Sequence, residues 1–593
     1  MNRVFLAMVI VALFALPFSS LTPEYWITHL NYIGLASLVV LGLLLLTGVS
    51  GLTSFGQAAF VGLGAYTTAY TTTALGWSPW FALFAGLILT AVVAYILGAI
   101  TLRLSGHFLP LSTIAWGLAL YYLFGNLEFL GQYDGIAGIK PLNILGISLA
   151  SGRSMYVLIW LFVLLALWGS SNLLNSRPGR AIRALRGGGE MSESFGINTA
   201  QYKTIVFVYA ALLACISGWL YAHMQRAVSP SPFGLNYSIE YLFMAVVGGS
   251  GSVWGAVVGS GLILTIKDQL QNVVPKLVNS QENFELIFFG VLMVLVLQYA
   301  RNGVWPLLRA WGYRLGISRH ANNVLVPDSA QELNRRARPD NNINVLEINK
   351  LRKEFGGLVA VNNVSFSVKA GEIVGLIGPN GAGKSTTFNL ITGVYPSTSG
   401  SATFLGSRLD TLKAREISKL GIGRTFQHVQ LLPQMSVIEN VALGAHQRSD
   451  VGVVSASLRT DRSQEAQLLF QAAKQLKRVG LGEVMHEEAG NLPLGQQRIL
   501  EIARALASDP VLLLLDEPAA GLRYREKRDL ANVLSQLKNE GMSILLVEHD
   551  MDFVMSLTDH IVVMDFGTKI AEGTPSQVQS NKAVIDAYLG GVE

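Results

Sequence analysis

Ile373-Val374-Gly375-Leu376-Ile377, then Gly378-Pro379-Asn380-Gly381-Ala382-Gly383-Lys384-Ser385, then Thr386 to Ile391: these residues decide the fold of the C-terminal half. The central eight follow the spacing G-x-x-x-x-G-K-S between a short apolar strand and the opening of a helix. That context marks a phosphate-binding P-loop. Gly378, Gly381 and Gly383 let the backbone wrap so that successive N–H groups, with Pro379, Asn380 and Ala382 completing the turn, point at one anion. The helix start at Ser385 and Thr386 adds partial positive charge. Lys384 supplies a full charge to the β and γ phosphates, and the Ser385 hydroxyl is a ligand for Mg²⁺.

Four further elements surround this loop in chain order. Phe355, 23 residues before Gly378, is placed to stack on adenine, or is simply a strand aromatic. Gln427, after Gly423-Arg424-Thr425-Phe426, is a candidate to ligate Mg²⁺ or orient the attacking water. Val511 to Leu515 is a fully apolar run ending in Asp516 and Glu517, as a buried parallel strand delivers carboxylates at its C-terminal end. Asp516 would hold Mg²⁺ through its water shell, and Glu517 would polarise the water that attacks the γ-phosphate. Ile544 to Val547 is a second such strand, followed by Glu548 and by His549, a candidate γ-phosphate contact.

Together with Leu492-Pro493-Leu494-Gly495-Gln496-Gln497-Arg498, which matches L-S-G-G-Q-Q-R at five of seven positions, this set resembles the ATP-binding cassette ATPase over about residues 345–593. The resemblance implies an α/β P-loop core with antiparallel β and helical subdomains. It also implies that two cassettes sandwich ATP between one P-loop and the other's signature, where the N–H groups of Gly495 and Gln496 would meet phosphate. Phe355-Gly356-Gly357-Leu358, Asp516-Glu517-Pro518-Ala519-Ala520-Gly521-Leu522 and the ending Ala587-Tyr588-Leu589-Gly590 are similar to the branched-chain amino-acid importers. Two departures stand out. Pro493 replaces the signature serine, with Leu494 in place of a glycine, and Arg523 occupies a position usually acidic or Asn.

The N-terminal half has a different character. The chain has 593 residues, 51% hydrophobic, with mean hydropathy +0.41. About 24 of the first 315 residues are charged, roughly one in thirteen, against about one in five beyond them. Apolar runs recur at 4–20, 30–49, 58–75, 80–102, 108–130, 154–174, 203–224, 238–272 and 284–300. The expected architecture is therefore an N-terminal polytopic α-helical membrane domain followed by the ATPase. The first run resembles a signal-peptide core, but no small-x-small cleavage site follows, and it is expected to stay as a helix. The net charge of +5 lies mainly in loops that orient helices, so nucleic-acid binding is not expected. The single cysteine, Cys215, excludes an intramolecular disulfide and reads as a small core residue.

Arg177, Arg180, Arg183, Arg186 and Lys203 place one loop in the cytoplasm, and Arg301 to Arg319 place the end of the membrane domain there too. Three crossings between those points break parity. The 238–272 run is therefore expected to split at Gly248-Gly249-Ser250-Gly251-Ser252 into two elements, the first short. Gly48 to Gly56 is a comparable break, hinting at an internal repeat and at a transporter's substrate path. The charges Glu128, Asp134 and Glu240 show no obvious partner. In the 179–199 loop, Glu190 followed by Gly196 fits the E-A-A-x-x-x-G coupling loop of importer permeases, with Met191 and Ser192 in place of both alanines. Such a loop needs a short amphipathic helix that docks on a soluble partner. Gly179 to Arg186 and Gly248 to Gly255 also look like the branched-chain permease family.

The expected division is a permease domain at 1–316, a flexible linker at 317–344 and a cassette at 345–593. The resemblance implies an ATP-driven, Mg²⁺-dependent importer subunit in the cytoplasmic (inner) membrane, spanning lipid many times. Its partners would be a second permease, an identical or different second cassette, and an extracytoplasmic substrate-binding protein. Leucine, isoleucine and valine lead as substrates; urea, short amides and aromatic acids are the alternatives. An exporter would use long helices reaching into the cytoplasm, and a membrane-tethered regulatory ATPase would not need nine apolar segments.

Overall fold

A computed structural model describes residues 11–19, 22–102, 108–144, 146–249, 251–278, 290–291, 294–295, 298–299, 303–314, 326–340 and 343–589. The chain forms two units, residues 1–175 with 200–321 and residues 176–199 with 322–593. Much of the first apolar run, most of the 284–300 run and linker residues 317–325 lie outside the described residues.

The first unit is helical. Among the described residues five helices are long and apolar enough to cross a membrane: Glu24–Val49, Pro79–Thr101, Phe108–Asn126, Gly152–Leu174 and Thr199–Gln225. Glu24–Leu43 is its centre and widens into a π turn at Leu44–Val49. Leu38, Val39, Leu41, Leu43 and Leu46 are all fully enclosed. Pro79–Thr101 is the opposite case. Phe81, Phe84, Ile88, Val92, Tyr95 and Ile96 are exposed at three- and four-residue spacing, an apolar stripe that suits lipid. Close packing relies on small residues: a Cβ on Gly218 would meet the Val61 carbonyl oxygen at 2.0 Å, and one on Gly64 the Cys215 oxygen at 2.3 Å.

The 238–272 run does break, giving Leu235–Gly248 and Gly255–Val278. The first apolar break likewise separates Val49 from the Gln57–Thr73 helix. Both breaks use a serine in the same way: Gly56 N–H donates to Ser54 Oγ at 3.4 Å, and Trp254 N–H to Ser252 Oγ at 3.3 Å. One expectation is corrected. Glu240 has a partner, since Lys267 Nζ lies 2.9 Å from its Oε2, and the Lys267 ammonium also sits 5.7 Å from the Tyr237 ring. Lys267 belongs to the helix after the break, so only the fold of that hairpin brings the pair together.

The second unit carries two sheets. The larger runs Ile422–Arg424, Leu512–Asp516, Ser543–Val547, Ile373–Ile377, His560–Asp565, Thr568–Gly573; all pairs are parallel except the last. Its three central strands are buried at every position, which is why they read as unbroken apolar runs. The smaller sheet is antiparallel, in the order Leu358–Lys369, Asn344–Phe355, Ser399–Phe404, Ser407–Arg408. A helical subdomain holds Val437–Gly444, Arg462–Arg478 and Leu494–Ala507 around Val441, Leu468, Leu476 and Leu500.

The stretch expected as a flexible linker is partly fastened. Arg336 N–H donates to Asp509 Oδ2 at 2.6 Å and its Nη2 to the Lys419 oxygen at 2.9 Å; Arg338 pairs with Asp509 Oδ1 at 3.3 Å. Val326 and Leu333 pack on the helical subdomain. Asp509, held at φ +56°, turns its carboxylate and carbonyl toward this strap, a local geometry that composition does not reveal.

Candidate functional site: a nucleotide cradle at the strand ends

The parallel register sets the site. Asp516 pairs with Val547, and Val547 with Leu376, so the P-loop, the Asp516-Glu517 pair and Glu548-His549 all leave the same C-terminal edge of neighbouring strands. The loop itself depends on glycine. Gly378 and Gly383 have φ of +151° and +92°, and a Cβ would meet the Met564 oxygen at 2.0 Å and the Ala360 oxygen at 2.4 Å. Ala382 N–H closes the turn on the Pro379 oxygen at 3.2 Å, Asn380 and Gly381 are exposed, and Ser385 and Thr386 lie half-buried in the first helical turn.

Lys384 is buried, its Nζ donating to the carbonyls of Gly378 at 2.7 Å and Pro379 at 2.9 Å. Burial lowers its pKa, against the pull of the Glu517 and Asp516 carboxylates. Asp516 is buried too, and burial pushes its pKa up to about 6, with Arg424 opposing and Glu517 and Glu548 adding to the rise. Its Oδ1 has no hydrogen-bond partner among the described residues. A buried carboxylate oxygen left in that condition fits a hydrated cation beside a phosphate. No cluster of three or more His, Cys, Asp and Glu that could hold a metal lies among the described residues. A cation here would therefore draw on Asp516, hydroxyl and phosphate oxygens rather than an all-carboxylate cage.

Glu517 has φ +46°, an uncommon conformation for a residue with a side chain, fixed by its N–H donating to the Val547 oxygen at 2.8 Å. His549 Nδ1 lies 3.8 Å from Glu517 Oε2, and the ring is largely exposed. Phe355 ends its strand exposed, edge-on to Tyr395 at 5.5 Å, with Lys353 Nζ 4.9 Å from its ring centre. Gln427 is exposed, and Arg498 holds its carbonyl at 2.7 Å. Gly495 is buried in the first turn of the helix that begins after Pro493, and Gln496 beside it is half-buried. A Cβ at Gly495 would meet Glu526 Oε1 at 2.5 Å, so a carboxylate stands against the signature's amino end.

Two contributors, Glu548 and Arg424, carried no role in the sequence reading, and a third segment, the loop expected to dock on a soluble partner, shows how it does so. Glu548 is enclosed and accepts from Ala519 N–H at 2.6 Å and His549 N–H at 3.1 Å, tying the segment after Glu517 to the histidine. Arg424 joins the base of the P-loop helix to the Gln427 segment, donating to Asn389 Oδ1 and Thr392 Oγ1, both at 2.6 Å. The third is residues 176–199. Their helices Arg177–Ala184 and Gly189–Ser194 belong to this unit. Arg180, 3% exposed, makes a two-point ion pair with Glu465, and Arg183 Nη1 lies 3.0 Å from Glu439 Oε1. Arg177 donates to the carbonyls of His446 and Val451. Met191 is enclosed beside Arg504, whose guanidinium lies 4.7 Å from the Phe195 ring. Glu190, the residue that suggested a coupling loop, is exposed.

Comparison with known proteins places these features. Residues 25–297 match the family model for the permease component of the branched-chain amino acid transport system. Residues 361–520 match the ABC transporter model, and 568–593 that of the branched-chain amino acid ATP-binding cassette transporter. The high-affinity branched-chain amino acid transport ATP-binding protein LivG of Salmonella typhimurium is 46% identical over 249 residues, 42% of this chain and 98% of that protein. BraF of Pseudomonas aeruginosa, with the corresponding description, is 43% identical over the same coverage. Among solved structures, a nucleotide-free ATP-binding cassette from an ABC transporter is similar, with 33% identity, 42% of this chain and 99% of that chain covered, and a TM-score of 0.38. The chain binds nucleotide and hydrolyses ATP in the service of transport, and it belongs to the branched-chain amino acid ABC transporter family, with permease and ATP-binding cassette on one polypeptide.

Proposed function

We propose that this chain imports branched-chain or related hydrophobic amino acids across the cytoplasmic membrane. It works with a second permease, a second cassette and an extracytoplasmic binding protein, and spans residues 1–316 as permease, 317–344 as connection and 345–593 as cassette. The observation that supports this most is the conjunction of both matched halves in one chain with residues 176–199 packed on the helical subdomain through Arg180 and Glu465.

In this reading the loop from Gly378 through Pro379, Asn380, Gly381, Ala382 and Gly383 turns its N–H groups to the phosphates of ATP, with Lys384, Ser385 and Thr386 completing the cradle. Phe355 stacks on the adenine. Ser385, Gln427 and Asp516 would hold Mg²⁺, which would supply positive charge to offset the negative charge of the phosphates. Glu517 accepts a proton from the attacking water, and His549 contacts the γ-phosphate. Gly495 and Gln496 serve the partner cassette's nucleotide, not their own.

Proteoliposomes containing the full complex, with ATP on the cassette side, test the direction and the cargo. Labelled leucine should enter only when a cognate binding protein is supplied on the opposite face. Uptake indifferent to that protein would refute import, and urea or a short amide outcompeting leucine would reassign the cargo.

A further inference from the structure

The helix Leu494–Ala507 carries three charges on one buried stripe: Arg498, Glu501 and Arg504, spaced three residues apart and 8, 2 and 1% exposed. No step of nucleotide hydrolysis uses them directly. As ion pairs they are imperfect. Glu501 Oε1 lies 3.4 Å from Arg504 Nη2, and Oε2 lies 3.8 Å from Arg498 Nη1. Glu501 Oε2 and both arginine Nε atoms find no hydrogen-bond partner among the described residues. Apolar side chains of similar volume would hold a buried helix at least as well, because they carry no desolvation cost. Stability alone therefore does not account for the stripe.

The groups that the charges reach do account for it. Between the strand Ile422–Arg424 and the helix Val437–Gly444 the chain passes Gln427 without regular secondary structure. Arg498 donates to the carbonyl oxygens of Phe426 at 3.1 Å and Gln427 at 2.7 Å. Glu501 Oε1 accepts from Gln430 N–H, and Arg504 Nη1 donates to the Gln430 oxygen, both at 2.8 Å. One helix face thus holds the main chain on both sides of Gln427, while the Gln427 side chain itself is exposed. The Phe195 ring, 4.7 Å from the Arg504 guanidinium, covers the far end of the stripe.

We propose that Arg498, Glu501 and Arg504 are positioning residues for ATP hydrolysis: they fix the main chain around Gln427 so that its amide meets the nucleotide site in one place. They touch no nucleotide themselves. Each member has a separate task. Arg498 spans two successive carbonyls, which the planar fork of a guanidinium can do and a single ammonium cannot. Arg504 and Glu501 grip the oxygen and the N–H of Gln430. Glu501 also stands between the two arginines, and its negative charge lets both occupy one short stretch of buried helix. The assignment rests on the role given to Gln427 above.

The test measures kcat and KM for ATP, with the melting temperature, in the full complex with its binding protein. The deciding variant replaces the whole stripe, Arg498→Met with Glu501→Leu and Arg504→Met, so that no charge is left stranded. Its melting temperature should be equal or higher and its KM unchanged. Its kcat should fall by roughly ten- to a hundredfold, the scale of a displaced active-site group. Arg498→Lys, which keeps the charge beside Glu501 but cannot span two carbonyls, should also lower kcat without raising KM. Gln427→Ala should lower kcat by itself, and adding the triple replacement to it should lower kcat no further. Wild-type kcat in the triple variant would overturn the assignment, as would loss of its folded complex or losses that multiply when it is combined with Gln427→Ala. Full activity in Gln427→Ala would instead refute the role of Gln427 itself, and the positioning role with it.

Discussion

Glu517 is held in left-handed backbone geometry while Asp516, its neighbour, is enclosed with an unpartnered oxygen. Both are unfavourable to the fold alone, as expected where residues are placed for chemistry. Glu517→Gln should retain ATP affinity and lower turnover by roughly 10²- to 10⁴-fold, the range for removing a general base; nucleotide binding and steady-state hydrolysis measured side by side decide it. Asp516 makes a prediction with a definite sign. Burial lifts its folded pKa to about 6 from 3.8, so ionising it opposes folding above pH 6. Asp516→Asn should stabilise the nucleotide-free protein at pH 7 by on the order of 2 kcal/mol. That gain should shrink as pH falls from 6 toward 4, as thermal melts across the range would show.

At the scale of elements, residues 176–199 teach the most. Their arginines were legible as topology markers, because positive charge in a loop next to apolar runs has a known meaning. That they would be buried against Glu465 and Glu439 was not legible, because those carboxylates lie more than 250 positions away and carry no local pattern. Breaking one buried partner is costly where removing both is not. Arg180→Met should destabilise this packing by about 3–5 kcal/mol, and adding Glu465→Met should recover most of it. The double variant should still hydrolyse ATP yet take up less leucine per ATP, measured in proteoliposomes. His446 gives the same element a pH dependence. Burial first, then Arg177 and Arg180, hold its pKa well below 6.5. The unfolded chain therefore takes up a proton near pH 6.5 that the folded one refuses, and stability is lost as pH falls below that value. His446→Gln should flatten this slope between pH 7 and 5.5, opposite in sign to the effect of Asp516.

For the whole molecule, the strand–loop–helix order of the ATPase half was legible because phosphate chemistry demands fixed residue types at fixed spacing. Strand ends, P-loop and carboxylates are all where those motifs put them. The membrane half yielded its apolar runs and both glycine breaks, since bilayer thickness and backbone satisfaction constrain them. Pairings between runs stayed hidden: Glu240 met Lys267 only through the folded hairpin. The strap at 326–340 was read as coil from its polar composition, yet its arginines find Asp509. Asp509→Ala in the full chain should speed proteolysis within the strap and cost about 1–2 kcal/mol of stability, read as a lower melting temperature, as both anchoring arginines lose their partner.

That fastening also bears on inheritance. A cassette joined to its permease by peptide bonds is produced at a fixed ratio to the permease and faces little competition from free cassettes, because tethering raises its local concentration to roughly the millimolar range. A defective copy therefore cannot be replaced from a soluble pool. Glu517→Gln made alongside the wild-type chain should behave as a dominant allele, lowering leucine uptake in proportion to its share of the transcripts, whereas in relatives with separate subunits a surplus of sound cassettes would mask it.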